Sequence, residues 1–476
     1  KDDSLRQSIG EALFWRGYLS ARTGTGEAEI AAGLQQAIRD YKELVRRFPD
    51  HSRAGEAQFE IGFCTYSLGS SDESRYAEAI TEYSKVLQKY PESEYSDDAL
   101  FEIGRCYRLL KNEAKEEESL RKLVQDYNAS ELAGNALLRI AELHFERAQK
   151  RGSAEERRIA ENAYSEVVSK YAGTEAEAIA HFQKGSIFYK FDANFQMSAT
   201  EFAGCAGILE GLVNKVISGE YVPADLDIAN VTNLLMRATF WQAESTFQLA
   251  KQSEQQAQPP DAVKKAYGQA RSVYQQLLNR ATKLRSDFPE KTTNLYAIMD
   301  GESLDVPIIG ETQFMMSRCL YKEGDLENAK ASLQLIKSPE KLRLKAEYLL
   351  AYIAHDQGKL NDARTMAESW LNNEATKDLA DEYSVGTQVL LAKIDLASGS
   401  IDEARTRALD IWALFKSVNG LWEESAYIVA KCYQQQNDKE KAKSWFERLQ
   451  TSPFEQWRAL AREGISQLTG SPGKTR

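Results

Sequence analysis

Cysteine and histidine are the side chains best suited to hold a metal or to attack a substrate, and this chain has few of either. Its four histidines have no His-x-x-x-His spacing, and no two of its five cysteines form a CxxC pair. A zinc site needs three or four converging ligands, so no metal site is predicted. The odd, sparse cysteine set is not a disulfide framework either. The residues concerned are Cys64, Cys106, Cys205, Cys319, Cys432, His51, His144, His181 and His355.

Other short patterns that carry chemistry are missing from the sequence. It contains no GxSxG nucleophile motif, no phosphate-binding loop with a Lys-Ser/Thr pair and no dinucleotide-binding glycine pattern. Acidic runs such as residues 116–118 are typical of a solvated helix face, and the histidines are expected at the surface or in a groove. We therefore predict a protein that is not an enzyme and that holds no cofactor.

Composition narrows the function further. The chain has 476 residues and a formal net charge of -11, which disfavours nucleic acid as a partner because a phosphate backbone requires a basic surface. No stretch approaches the roughly 20 apolar residues of a membrane span, although a removed lipid anchor stays open as an alternative. Only 10 prolines occur in this length, which favours long helices over strand-rich folds.

A repeat explains where the small residues fall. Residues 57–64 (AQFEIGFC) and 99–106 (ALFEIGRC) match at six of eight positions. The shared pattern places an aromatic residue two positions after alanine and then an apolar–Gly pair, and variants of it return along the whole chain. Its last position is a cysteine in four copies, Cys64, Cys106, Cys319 and Cys432, where a small buried hydrophobe is expected.

The C-terminal copies share a second register. A turn residue follows the small residue by seven positions, and an alanine follows it by twelve. The turn residue is predicted to end the first helix in the left-handed conformation, and the alanine is predicted to lie where the second helix crosses the first. The small residues are Ser317, Ala351, Ala392 and Ala430, the turn residues Gly324, Gly358, Gly399 and Asn437, and the alanines Ala329, Ala363, Ala404 and Ala442.

Several second helices close with an aromatic–Pro step, at Phe48-Pro49, Tyr90-Pro91 and Phe288-Pro289. Proline stops a helix, and the aromatic ring before it can fill the seam to the next hairpin. Because the helices of a hairpin cross closely at the small residue, replacing Gly104 with leucine is expected to wedge them apart.

The small residue, the turn glycine, the second-helix alanine and the closing proline resemble the tetratricopeptide repeat family over most of residues 5–468. The resemblance implies an all-α, right-handed α-solenoid of about ten helical hairpins with a capping helix near 454–468. The apolar–Gly pair with its cysteine, and the YPES ending at 90–93, are similar to repeats of bacterial envelope proteins such as the outer-membrane assembly lipoprotein BamD and the periplasmic TolA-binding coordinator.

Three blocks are predicted along the chain. Residues 1–190 form an N-terminal solenoid, and residues 310–476 form a C-terminal solenoid with the cap and a flexible tail. Between them, residues 191–309 form a helical insertion with one hairpin, whose helices lie near 228–257 and 262–288. The loop at 287–311 is too long for a simple hairpin turn, and it either bridges the two solenoids or carries function.

In a stacked array the first helices line the concave surface, so partner proteins are expected to bind there. Side chains one and four positions after each small residue, and for Lys322 five positions after Ser317, are predicted to point into this surface. Aromatic and arginine side chains dominate binding hot spots, and Arg105 with Arg108 is expected to pair a partner carboxylate. The predicted binding residues are Phe63, Tyr66, Arg105, Arg108, Phe145, Tyr189, Arg318, Lys322, Tyr352 and Lys393.

These features favour a scaffold that organises a bacterial envelope complex in the periplasm or at the membrane. The alternative is a cytoplasmic adaptor of the same architecture, for which five unpaired cysteines are more natural. A solenoid fused to an enzyme outside this sequence is a third hypothesis. The Lys and Asn set with which chaperone-binding relatives hold a C-terminal carboxylate is not evident, which argues against a co-chaperone.

Overall fold

The computed structural model describes residues 2–70, 72–220, 226–287, 308–376, 381–418 and 420–469. Within these ranges every regular element is helical: 21 α-helices and one 3-10 turn at Leu68–Ser70. The helices are α1 (Asp2–Arg22), α2 (Glu27–Arg47), α3 (Ala54–Ser67), α4 (Ser74–Lys89), α5 (Ser96–Leu109), α6 (Glu113–Asp126), α7 (Glu131–Arg151), α8 (Ala154–Lys170), α9 (Glu175–Lys190), α10 (Phe195–Ser218), α11 (Ile228–Gln255), α12 (Pro260–Asp287), α13 (Ile308–Glu323), α14 (Leu326–Gln334), α15 (Glu340–Asp356), α16 (Leu360–Leu371), α17 (Glu382–Ala397), α18 (Ile401–Leu414), α19 (Leu421–Gln435), α20 (Lys439–Leu449) and α21 (Glu455–Thr469).

The chain divides into two compact units, Lys1–Lys184 and Gly185–Arg476, with the boundary inside α9. In each unit a helix packs on the next one to form a hairpin, and the second helix of that hairpin packs on the first helix of the following one. The predicted all-α array of helical hairpins is confirmed. The repeat count, the hand of the superhelix and the division into three blocks stay predictions.

In several hairpins the small residue of the first helix leaves a space that a bulky side chain of the second helix fills. A Cβ atom on Gly62 would lie 2.5 Å from the ring of Tyr83, and one on Gly17 would lie 2.9 Å from the ring of Tyr41. Both tyrosine side chains are fully buried. Glycine therefore sets how closely the two helices approach, because any side chain would occupy the space of the ring.

The predicted hairpin turns are confirmed in the second unit. Gly324, Gly358, Gly399 and Asn437 all have positive φ, from 60° to 89°. The alanines five positions later are completely buried. In the first unit the equivalent of these turn residues after α5 is Lys111, which adopts φ 56° without being glycine.

The helices in the middle and at the end of the array lie close to the positions that the sequence predicts. Helices α11 and α12 each run for 28 residues, twice the length of α5, and match the predicted central hairpin. Helix α21 is the predicted cap, and its Trp457 and Ala461 pack against Phe446 of α20. Phe48 and Tyr90 end α2 and α4 as predicted. The Phe288-Pro289 step and most of the 287–311 loop lie outside the described residues.

All five cysteines are free and buried, as expected for packing. Burial raises the pKa of the Cys64 and Cys106 thiols to about 12 and that of Cys432 to about 11. The surface prediction is wrong for two histidines, since His51 and His144 are 5% and 7% exposed. The ring of His51 contacts the Gln7 carbonyl oxygen at 3.2 Å, and this contact holds the ring inside the fold.

Candidate protein-binding surface

In the first unit, the predicted residues of α3 and α5 contact one another. Phe63 is 41% exposed, whereas Tyr66 is half-buried and its hydroxyl accepts a hydrogen bond from Arg105 Nη2 at 3.1 Å. Arg105 also pairs with Glu102 at 2.7 Å. Arg105 therefore links two consecutive first helices, and its side chain, 42% exposed, is about as open as that of Phe63.

Arg108 is engaged by a carboxylate that the sequence placed on a solvated face. Glu116 is 1% exposed, and its Oε1 accepts from Arg108 Nε at 2.9 Å and from Arg139 Nε at 2.8 Å. Burial lowers the pKa of Arg139, but the surrounding carboxylates raise it more, so its net pKa is raised. The expected solvated position of Glu116 is wrong, because two guanidinium groups neutralise it inside the hairpin stack. Arg108 already pairs with a carboxylate, so fewer donors of its guanidinium are left for a partner.

A second charged network on the first unit surrounds His144. Its Nδ1 lies 2.6 Å from Glu156 Oε2, and its Nε2 lies 3.2 Å from Glu117 Oε1. Arg147 pairs with Glu117 at 2.7 Å from the same helix as His144. Phe145, the predicted binding residue beside them, is half-buried. Charges on this face mostly satisfy one another.

Three predicted residues of the second unit also make internal contacts. Lys322 pairs with Glu254 at 2.7 Å, and Lys393 pairs with Glu424 at 3.1 Å. Tyr352 is 8% exposed, and its hydroxyl donates to the Gly386 carbonyl at 2.8 Å. These side chains join neighbouring hairpins, and their predicted role in binding stays untested.

The remaining two, Tyr189 and Arg318, line one cleft of about 720 Å³. Five first helices contribute to it, α9, α11, α13, α15 and α17, of which α11, α13, α15 and α17 contact one another in succession. This volume is within the range of clefts that enclose a ligand or a few side chains of a partner. The lining residues are Tyr189, Arg237, Phe240, Trp241, Glu244, Ile308, Glu311, Met315, Arg318, Lys341, Lys345, Glu382 and Tyr383.

Aromatic rings form the α9 and α11 side of this cleft. The Trp241 ring lies edge-on to Tyr189 at 5.1 Å and to Phe240 at 5.8 Å between centroids. Burial raises the pKa of Tyr189. Edge-to-face packing holds these rings in place, so the wall is formed before any partner arrives.

Arg318 of α13 is held by rings instead of a carboxylate. Its guanidinium lies 4.9 Å from the Phe247 ring centroid and 5.9 Å from that of Phe314. Among the described residues no carboxylate oxygen comes within the 4 Å of an ion pair, and its hydrogen-bond partner there is Met315 Sδ at 3.6 Å. Burial lowers the pKa of Arg318, but Tyr383, Glu382 and Glu244 together raise it more. The group is a permanent cation facing the cleft.

The other charges of the cleft are largely committed. Glu244 accepts from the Tyr274 hydroxyl at 2.8 Å and from Gln248 Nε2 at 3.0 Å. Glu311 pairs with Lys345 at 2.8 Å. Lys341 is exposed and has no ion pair in the part of the chain that the structure describes. With four basic and three acidic residues the lining carries a net charge of +1, in a chain of -11.

Sequence reasoning missed most of this lining for a geometric reason. It followed each first helix forward from the small residue, to positions one and four, whereas the cleft continues backward along the same face. From Ser317, Arg318 is one position on, and Glu311 is six positions back. From Ala243, Phe240 is three positions back and Arg237 is six positions back. The helical period, applied in both directions, would have found these residues.

No group of three or more His, Cys, Asp or Glu side chains among the described residues is arranged to hold a metal ion. In the same residues, no helix combines the length and the apolar character needed to cross a bilayer.

Tetratricopeptide repeat models match three stretches of the sequence. One matches residues 53–93 and 98–130, which contain the hairpins α3–α4 and α5–α6. A second matches residues 423–452, which contain most of α19 and all of α20. No curated protein sequence matches the chain significantly.

Solved structures of helical-repeat proteins resemble the chain weakly. The TPR domain of P58(IPK) is 14% identical, with a TM-score of 0.26, and covers 88% of this chain and 98% of its own. The apo form of RapI is 14% identical, with a TM-score of 0.44 and coverages of 87% and 98%. Yeast Tom70 is 12% identical, with a TM-score of 0.31 and coverages of 99% and 96%. The sequence matches to the tetratricopeptide repeat thus cover residues 53–93, 98–130 and 423–452.

Proposed function

We propose that the chain is a non-catalytic scaffold that binds other proteins through its first-helix surface, with the cleft of the second unit as the principal docking site. One observation carries the proposal. Five first helices together present a preformed aromatic wall and a guanidinium that forms no ion pair with a described carboxylate. Aromatic and arginine side chains in a partly desolvated setting are the ones that dominate protein–protein interfaces.

The proposed setting is a bacterial cell envelope, where the scaffold would organise a complex in the periplasm or at a membrane surface. Its support is the similarity of the apolar–Gly–Cys and YPES segments to repeats of envelope proteins. A cytoplasmic adaptor with the same surface is the second candidate, supported by five free cysteines.

In-cell photocrosslinking tests the docking role. A photoreactive benzoyl-phenylalanine at Tyr383, which lines the cleft, is expected to form a discrete adduct whose partner mass spectrometry identifies. The matched control replaces Leu335, which is 79% exposed and lies outside the cleft, and should give none. Equal adducts at both positions, or none at Tyr383, would contradict the proposal. Fractionation of the tagged native protein tests the setting, and a wholly cytosolic pool would favour the adaptor.

A further inference from the structure

We infer that the cleft of the second unit binds a protein segment in which an aspartate or glutamate side chain stands between bulky apolar residues, with its carboxylate on Arg318. The inference rests on the proposed function and specifies the chemistry of the partner at the same site. Its basis is the order of groups along the five first helices of the cleft.

A carboxylate is the group that Arg318 lacks. The guanidinium has a planar fork of donors that fits a carboxylate in bidentate fashion. Here the Phe247 and Phe314 rings position it, so little side-chain entropy is lost when a partner arrives. Because it is half-buried among rings, its attraction to an incoming charge is screened less than at an open surface.

Apolar groups are expected on both sides of that carboxylate. Arg318 lies on the middle helix of the five, α13. Tyr189, Phe240 and Trp241 lie on one side, on α9 and α11, and Tyr383 lies on the other, on α17. A segment crossing these helices would therefore place apolar side chains before and after its acidic residue. This arrangement favours an internal segment over a chain end, whose carboxylate would have neighbours on one side only.

The charges agree with an acidic partner. Glu244 and Glu311 are both engaged by hydrogen bonds within the second unit, which leaves Glu382 as the exposed acid of the lining. Against it stand Arg318 and the exposed Lys341. A basic segment would leave Arg318 facing like charge, at a cost that increases as the cleft is closed to water.

Selection of peptides on the purified full chain tests this inference. The probe is a phage-displayed library of random dodecapeptides, followed by fluorescence polarisation with the strongest binder, labelled with fluorescein. Peptides with an acid between bulky apolar residues are expected to be enriched. Arg318→Gln is expected to weaken the labelled peptide about thirty-fold, as for loss of a partly buried charged pair. Arg318→Lys, which keeps the charge but not the fork, should restore part of the affinity.

Matched controls separate the sources of the effect. Arg343→Gln removes a charge from α15 outside the cleft, where Arg343 pairs with Glu347 and Glu340, and should leave affinity within about two-fold, as for a rim charge. Replacing the acid of the peptide by its amide should weaken binding as much as Arg318→Gln does, with no further loss when both changes are combined. Amidating the C-terminus of the peptide should have no effect.

Several results would overturn the inference. They are enrichment of basic peptides, equal affinity for Arg318→Gln, loss of binding on C-terminal amidation, or no enrichment at all. In each case the crosslinking at Tyr383 still decides the docking role separately. Circular dichroism of each variant shows whether the loss reflects binding, and no unfolding of Arg318→Gln is expected because no carboxylate is left unpaired.

Discussion

The hairpin α5–α6 of the first unit and four hairpins of the second share one register but fill it differently. Twelve positions after the small residue, the second unit has Ala329, Ala363, Ala404 and Ala442, all fully buried. The same step from Gly104 reaches Glu116, which is almost as deeply buried but charged. Seven positions on, the second unit has glycine or asparagine and the first has Lys111.

The difference teaches how one backbone serves two purposes. In the first unit, Arg108 and Arg139 converge on Glu116, so cations become part of the packing between hairpins. In the second unit alanine fills that position, and Arg318 on the first-helix surface has no such acid. Arg108 and Arg139 are therefore structural, whereas Arg318 is available, although other cations of the second unit, such as Lys322 and Arg364, also pair with carboxylates. Four sets of variants test the comparison, and they are given in order of expected effect.

The largest effect is expected from Glu116→Gln, which leaves two guanidinium groups without their shared carboxylate. We expect the first unit to lose about 3 kcal/mol of stability, as when a buried ion pair loses one member. Arg318→Gln in the second unit should cost less than about 1 kcal/mol. Because arrays unfold locally, hydrogen exchange of α5 to α7 and of α13 is the measurement. Equal costs at the two sites would remove the distinction between structural and available cations.

The next effect concerns the glycines of the first unit against which a side chain of the second helix packs. Gly62→Ala puts a Cβ 2.5 Å from the Tyr83 ring, and we expect a cost of about 2 kcal/mol from overpacking. Gly104→Ala meets the methyl end of Leu120 at 3.1 Å, which can rotate away, so its cost should stay below about 1 kcal/mol. Gly104→Leu should cost more than either alanine variant, because the larger side chain wedges the two helices apart. Denaturation followed by circular dichroism measures the series. An inverted order of the two alanine variants would contradict the close packing of the Tyr83 ring on Gly62.

The hairpin turns should respond in opposite directions. Gly358→Ala forces a side chain into a backbone with φ 75° and should cost about 1 kcal/mol. Lys111→Gly relieves the strain of a side chain in the same left-handed conformation, at φ 56°. It should stabilise the first unit by about 0.5 kcal/mol. Thermal melting of both variants checks the pair. Destabilisation by Lys111→Gly would mean that the lysine side chain contributes more than its backbone strain.

The smallest effect is the most dependent on pH. Burial, with the negative charges of Asp97 and Glu102, raises the pKa of Asp98 to about 6. The contribution of protonated Asp98 to the stability of the first unit is therefore intact below the ordinary pKa of aspartate, near 4, and is lost as the pH rises through 6. Asp98→Asn should stabilise the first unit by somewhat less than about 1 kcal/mol at pH 7, because solvent screens a half-buried group. At pH 3.5 the variant and the parent should unfold alike, and a benefit at both pH values would contradict this explanation.

The sequence predicts the hairpins well because their determinants are local. Gly358 must adopt a left-handed turn and Ala363 must fit a crossing, and both requirements are visible as fixed spacings. The pairing of charges is different. Whether Arg108 meets Glu116 or a partner depends on which long side chains converge between consecutive hairpins, and spacing within one helix does not reveal this. The cleft was missed in part because its residues come from five helices spread over nearly 200 positions.

The buried cysteines have a practical consequence. Each of the five thiols is closed off from solvent and remains protonated at neutral pH, so water-borne oxidants and alkylating dyes react slowly with the folded chain. Oxidising and reducing compartments should therefore leave it chemically alike. A single cysteine introduced at an exposed site, for example at Leu335, would be the one position to take a spectroscopic label, with every native thiol retained.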